Sequence, residues 1–152
     1  MTPAYLTSAF AYDTAVNRRL LDALRALPNV GERTQAVFAH ILAARAVWIE
    51  RLQHDGRSST PVWPTLDWDA CEAMIEGNDQ TYTAYLAEVS LADLEAPFTY
   101  YNSTGRGFTN RPLDVLMHVL IHGGYHRGQV AQAVRLSGYQ PMNTDYIFYL
   151  RE

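Results

Sequence analysis

The stretch that decides the fold is residues 112–136, which read PLDVLMHVLIHGGYHRGQVAQAVRL. Pro112 suits a first helical turn, because the N–H group that proline lacks has no partner there. Residues 115–126 carry no Asp, Glu, Lys or Arg, which is typical of a buried helix and too short for the roughly 20 apolar residues of a membrane span. Ser137-Gly138 ends the pattern. The stretch therefore predicts a long helix from Pro112 to about Leu136.

Three earlier segments repeat their apolar residues with the same helical period of about 3.6. They run from about Pro3 to Leu27, from about Arg33 to Gln53, and from the N-cap residue Asp67 to near Ser90. Four amphipathic helices with short or medium connections are typical of a helical bundle. We therefore predict one all-α, four-helix-bundle domain over residues 1–152.

The remaining segments are connections. Residues 54–66 form a loop that is long enough to have a function of its own, as a lid or as an interface. Pro97 to Asn110 alternates aromatic and polar residues and predicts a short hairpin or rigid loop before the last long helix. Asn143-Thr144 predicts the cap of a short final helix through Tyr149.

Composition excludes several classes of protein. The chain has 152 residues, 48% of them apolar, and a net charge of −4, so intrinsic disorder and a broad phosphate-binding surface are both disfavoured. Its one cysteine, Cys71, cannot form an internal disulfide, and we expect it to be a small core residue rather than a nucleophile. The first residues lack a basic and then apolar leader. We expect a cytoplasmic protein that binds neither nucleic acid nor membrane.

Histidines carry the clearest chemical signal. His118, His122 and His126 are spaced by four, so they share one helix face, and neighbours in the series are about 6 Å apart along the axis. His118 and His126, at about 12 Å, are too far apart for one ion. The helix therefore offers either His118 with His122 or His122 with His126. His40, on the apolar stripe of the second helix, is the candidate third ligand, although a lone histidine there is more often a hydrogen-bonded core residue.

The sequence around these histidines argues against a zinc protease. The HExxH motif needs a glutamate directly after its first histidine, and Gly123 occupies that position. Gly123, Gly124 and Gly128 either allow close packing against another helix, which we favour, or leave open space beside a metal for a substrate.

Residues 117–130, MHVLIHGGYHRGQV, resemble the signature of the DinB-like superfamily. Residues 38–42 and 144–150 resemble it too, so the likeness covers essentially the whole chain. The resemblance implies a four-helix bundle with one divalent metal ion held by His40, His122 and His126. His118 then lies outside the ligand set, where it packs or supports a ligand. Zn, Ni and Fe are not distinguished by this donor set.

The resemblance also implies a range of functions. Members are often homodimers, and some similar proteins are thiol transferases that activate bacillithiol, mycothiol or a related low-molecular-weight thiol at the metal. We therefore expect a metal-dependent thiol transferase or isomerase in which a metal-bound thiolate or hydroxide attacks a small electrophile. No side chain is assigned as catalytic. The alternative is a non-catalytic, stress-associated metal-binding dimer, which turnover of electrophiles with a thiol would distinguish.

Three further polar residues need a role. Asp13 and Asn17 lie four apart on the apolar stripe of the first helix, so they face the core. They lie either near the metal or, as we favour, in a polar patch at a helix junction or dimer seam. Arg127 follows His126 directly and meets either an anionic substrate or, as we favour, a nearby carboxylate.

Overall fold

Four long helices form the body of the protein. The computed structural model describes residues 2–151. The elements follow in the order α1 (Pro3–Arg25), α2 (Glu32–Gln53), α3 (Trp68–Glu88), α4 (Leu91–Glu95), β1 (Phe98–Tyr101), β2 (Gly107–Asn110), α5 (Pro112–Leu136) and α6 (Tyr146–Tyr149). The predicted all-α bundle is confirmed. No helix in this part of the chain is both long and apolar enough to cross a membrane.

Local sequence explains where the helices begin. The Thr2 side chain accepts a hydrogen bond from the Tyr5 N–H, and proline fills the first turn of α1. Asp67 accepts from the Ala70 N–H at the start of α3, as predicted. The short helix α4 was not predicted; Ser90 and Asp93 form a capping box that starts it.

The segment before α5 is a two-stranded antiparallel hairpin, as one of the two sequence-based alternatives proposed. Tyr100 lies opposite Phe108 in the ladder. At the chain's end the predicted cap was wrong by one or two residues. Asp145 is the N-cap of α6, and the Asn143 side chain accepts a hydrogen bond from the Asp145 N–H in the preceding turn.

Two apolar clusters fill the bundle, one at each end. One contains Leu24, Phe38, Ile75 and Val130, and the other contains Leu6, Phe10, Tyr82 and Leu116. Between them, each of three helices places a buried polar side chain: Asp13 on α1, Arg45 on α2 and Arg127 on α5. The helix α2 packs chiefly against α5, and α1 chiefly against α3. The pairing of α2 with α5 sets the functional site.

Candidate metal centre

Three histidines meet where α2 packs against α5. One ring nitrogen from each of His40, His122 and His126 lies within 4.8 Å of the others. His40 Nε2 is 3.0 Å from His122 Nε2, close to the roughly 3.3 Å that separates two imidazole nitrogens on one tetrahedral ion with Zn–N contacts of 2.0–2.1 Å. The cluster, drawn from residues 2–151, contains no carboxylate or thiol. This donor set fits a single divalent ion with a coordination position left over.

Hydrogen bonds at Nδ1 orient two of the three rings, those of His40 and His126. The Nδ1–H of His40 donates to the Val62 carbonyl oxygen at 2.7 Å, since a carbonyl can only accept. His126 Nδ1 is 3.0 Å from the Gln129 side-chain oxygen and donates to it in the same way. In both rings Nε2 is then the nitrogen with a free lone pair. Such outer contacts fix the tautomer and direction of a metal-ligating histidine.

The loop over residues 54–66 supports His40. Its Trp63 ring stacks on the His40 ring with centroids 3.8 Å apart and planes 6° apart, while the indole remains 57% exposed. Glu50 holds the loop by accepting hydrogen bonds from Ser58, Ser59 and Thr60. Burial acts to raise the pKa of Glu50, but these hydrogen bonds outweigh it and hold the pKa below its ordinary value.

Burial favours the neutral form of the His40 and His122 rings. Burial, the proximity of His126, and the opposing hydrogen bond to Val62 leave the pKa of His40 below its ordinary value. Burial together with His126, His118 and His40 lowers the pKa of His122 to about 4. Because a divalent ion binds neutral imidazole, these shifts leave the lone pairs available at neutral pH.

His118 lies outside the cluster, as the resemblance implied. Its exposed ring stacks on His122 with centroids 5.2 Å apart and meets the edge of Trp48 at 5.3 Å. His54 is exposed in the turn after α2 and takes no part. Of the two pairs that helical spacing left open, the structure therefore brings His122 and His126 together with His40.

Asp13 and Asn17 form a polar patch at the junction of α1, α2 and α5. Asp13 accepts a hydrogen bond from Arg127 and lies 3.2 Å from Arg45 Nη1, and Asn17 donates to it at 3.3 Å. The favoured predictions are confirmed, because Arg127 meets the carboxylate of Asp13, and Asp13 with Asn17 lies in a polar patch at the helix junction and outside the histidine cluster.

The three glycines of α5 do not share one role. A Cβ on Gly123 would lie 3.1 Å from Arg127 Nη1 and 3.2 Å from Asp13 Oδ1, so this glycine permits the close packing that we favoured. A Cβ on Gly124 would approach only the Arg127 side chain, at 3.9 Å, and one on Gly128 would meet nothing within 4 Å. For these two the interpretation as packing against another helix was wrong, since Gly124 would meet only a side chain of its own helix and Gly128 faces open space.

Cys71 is fully buried in the cluster around Phe38 and Ile75. Burial, followed by the charge of Asp67, raises the pKa of its thiol to about 11. Its predicted role as a core residue is confirmed, and it is not a thiolate nucleophile at neutral pH.

Several supporting residues were not predicted. Gln129 stands three residues after His126, a spacing that places both on one helix face and could have suggested the contact. Val62 acts through its carbonyl oxygen, which leaves no signal in the side-chain pattern. Trp63 is one of several loop aromatics, and nothing local marks it as a partner of His40.

Comparison with known proteins identifies the family of the chain. The model of the DinB family matches residues 3–152. A curated relative, Protein DinB of Bacillus subtilis (strain 168), is 25% identical over 158 aligned positions that cover 93% of this chain and 91% of the relative. A crystal structure of a DinB-like protein from Bacillus cereus ATCC 10987 superposes with a TM-score of 0.63 at 20% identity, covering 91% of this chain and 94% of that one. Since the family model spans nearly the whole chain, the protein belongs to the DinB family.

Proposed function

We propose that this DinB-family protein binds one divalent metal ion through His40, His122 and His126 and transfers a low-molecular-weight thiol to a small electrophile. The observation that carries the proposal is the cluster itself, in which three imidazole nitrogen donors lie within 4.8 Å and no carboxylate or thiol of residues 2–151 joins them. A divalent ion bound by neutral ligands keeps its charge largely uncompensated, so it lowers the pKa of a thiol or water that coordinates it.

The chain's own residues supply positioning and access. Val62 and Gln129 hold the rings of His40 and His126, and Trp63 covers one face of His40. His122 is only partly buried, so a small thiol can approach from that side. In the transfer, the thiol proton passes to solvent, the sulfur forms a bond to the electrophilic carbon, and the leaving group departs with its bonding electron pair.

Metal content is the first test. His40→Ala and His126→Ala should each lose most of the bound ion in elemental analysis of protein purified without a histidine tag. His118→Ala is the matched control, because it is the same residue type on the same face of α5 but lies outside the cluster. A site emptied by His118→Ala and retained by His126→Ala would overturn the ligand assignment.

Turnover is the second test. Metal-loaded protein is mixed with a chromogenic aryl halide and, in turn, with bacillithiol, mycothiol, glutathione and cysteine. At least one rate should exceed the uncatalysed rate, depend on metal and vanish in His122→Ala. If every rate equals the uncatalysed one while the ion is bound, transfer is refuted and the protein is a non-catalytic metal-binding member of its family.

A further inference from the structure

A row of rings leads away from the three histidines along the surface. His118 lies 5.2 Å from His122 between ring centroids, and Trp48 lies 5.3 Å beyond His118. Tyr100 of β1 follows at 5.0 Å, and Phe108 of β2 continues the row at 5.9 Å. Tyr100 and Phe108 are paired across the ladder, so they face the same side of the hairpin. We call His118, Trp48, Tyr100 and Phe108 the ring row.

Two guanidiniums lie on the ring row. The Arg51 guanidinium carbon is 4.6 Å from the Trp48 centroid and 5.6 Å from that of Tyr100. The Arg106 carbon is 5.1 Å from the Phe108 centroid. These distances are within the range of cation–π contacts, which fix a guanidinium without using its hydrogen-bond donors.

Neither guanidinium has an acidic partner among residues 2–151. The ion pairs found in that part of the chain involve other arginines, namely Arg18, Arg25, Arg45, Arg111 and Arg127. Arg51 Nε is buried and has no hydrogen-bond partner there. From residue 96 to residue 110 the only charged side chain is Arg106. The hairpin therefore contributes one positive charge and no negative charge to this surface.

The distances along the ring row set the length of a ligand that could contact both the three histidines and Arg51. Steps of 5.2, 5.3 and 4.6 Å through His118 and Trp48 put the Arg51 guanidinium no farther than about 15 Å from the His122 ring. An extended chain advances about 1.2 Å per bond, so a molecule about twelve bonds long spans that distance. Its middle would lie on the ring row, which favours an apolar or planar body.

We propose that Arg51, assisted by Arg106, binds the anionic end of an elongated substrate whose reacting group lies at the three histidines. The substrate class is an amphipathic molecule with a carboxylate or phosphate up to about 15 Å from its sulfur or electrophilic carbon. This inference rests on the proposed function for the identity of the reacting end, but the anion subsite itself depends only on Arg51, Arg106 and the ring row.

The test compares acids with alcohols of the same length. Zinc-loaded full-length protein is titrated calorimetrically with 11-mercaptoundecanoate and with 11-mercaptoundecanol. The acid should bind at least about tenfold more tightly, since hydrogen bonds to a charged group exceed those to a neutral one. The short pair 3-mercaptopropionate and 3-mercaptopropanol, which cannot reach Arg51, should bind equally.

Variants test whether the preference for the long acid over the long alcohol depends on Arg51. Arg51→Gln should abolish it, and Arg51→Lys should restore part of it. Arg57→Gln is the matched control, because Arg57 lies over Tyr101 at 4.5 Å, and Tyr101 faces the opposite side of the hairpin from Tyr100. Equal binding of the long acid and alcohol, or a preference that Arg51→Gln leaves unchanged, would overturn the subsite.

A metal-free arm separates this proposal from the proposed function. Undecanoate and undecanol are compared on protein stripped of metal by chelation. A preference for the acid that Arg51→Gln removes supports the subsite even if no thiol is ever transferred. The absence of any such preference here and in the loaded protein refutes the subsite while leaving thiol transfer standing.

Discussion

Replacing Asp13 with Asn should destabilise the protein more than removing either arginine that Asp13 holds. Asp13 is 1% exposed, and Arg45 and Arg127 are 1% and 2% exposed. The three side chains carry a formal charge of +1. Asp13→Asn therefore leaves two buried guanidiniums without a counter-charge, whereas Arg127→Met leaves a neutral pair of Arg45 and Asp13.

The magnitude follows from the cost of an unpaired buried charge. Removing one partner of a buried ion pair typically costs about 3–5 kcal/mol, and Asp13 is the partner of two ions, so we expect about 4 kcal/mol or more for Asp13→Asn. Replacing a buried ion with an apolar side chain of similar volume is much cheaper, so Arg127→Met should cost about 1–2 kcal/mol. In a domain of this size, the larger loss lowers Tm by about 10 °C.

Urea unfolding followed by circular dichroism, on metal-free protein at pH 7, measures both changes. Asp79→Asn is the control, since Asp79 lies in a partly exposed pair 3.8 Å from Arg18, and its loss should leave the midpoint almost unchanged. A cost below about 1 kcal/mol for Asp13→Asn, or a larger cost for Arg127→Met, would refute the argument from surplus buried charge.

Four further predictions concern other parts of the molecule. Gly56 has φ +75°, and a Cβ there would overlap the Thr99 carbonyl, so Gly56→Ala should cost at least about 2 kcal/mol in urea unfolding, against about 1 kcal/mol for the unobstructed Gly105→Ala. Trp63→Ala should weaken zinc binding several-fold in a chelator competition by releasing one face of His40; an unchanged affinity would count against this role. Because the folded protein holds the pKa of His122 at about 4 while the unfolded chain takes up that proton near pH 6.5, metal-free protein should lose stability as pH falls from 6.5 towards 4. Urea midpoints for His122→Gln should fall less over that range. Light scattering should give a dimer, twice 17.2 kDa, and a mass near 17.2 kDa would contradict it.

The long helices were predictable because each one carries an apolar stripe, and α1, α3 and α5 also have a recognisable start. Pro112 and Asp67 mark helix starts by local chemistry alone, and the structure places both as expected. The short helix α4 was missed because five residues give too little periodicity, although the Ser90–Asp93 capping box was present in the sequence. Short elements are specified by their caps more than by their apolar pattern.

The spacing of the histidines along α5 limited the possible ligand pairs, but only the packing of α5 against α2 shows which pair joins His40. The distance from His118 to His126 excluded those two as joint ligands, yet it left two neighbouring pairs equally possible. The choice depends on which face α5 turns towards α2, and that is set by packing between helices that are distant in the chain. The hydrogen bond from His40 to Val62 is accepted by a backbone carbonyl oxygen, which no side-chain pattern reveals.

Because His40 and His122 lie on separate helices, an ion bound by both would close a loop of the chain. His40 and His122 are 82 positions apart in the chain. An ion shared by them would close a loop containing α3, α4 and the hairpin, much as a disulfide would, and chain entropy gives such a closure about 4.5 kcal/mol at most. The exposed hairpin tip, with Arg106 as a tryptic site, lies inside this loop. A single cut there would yield two fragments joined by the shared core and by the ion, so that a chelator would remove one of the two restraints on their separation.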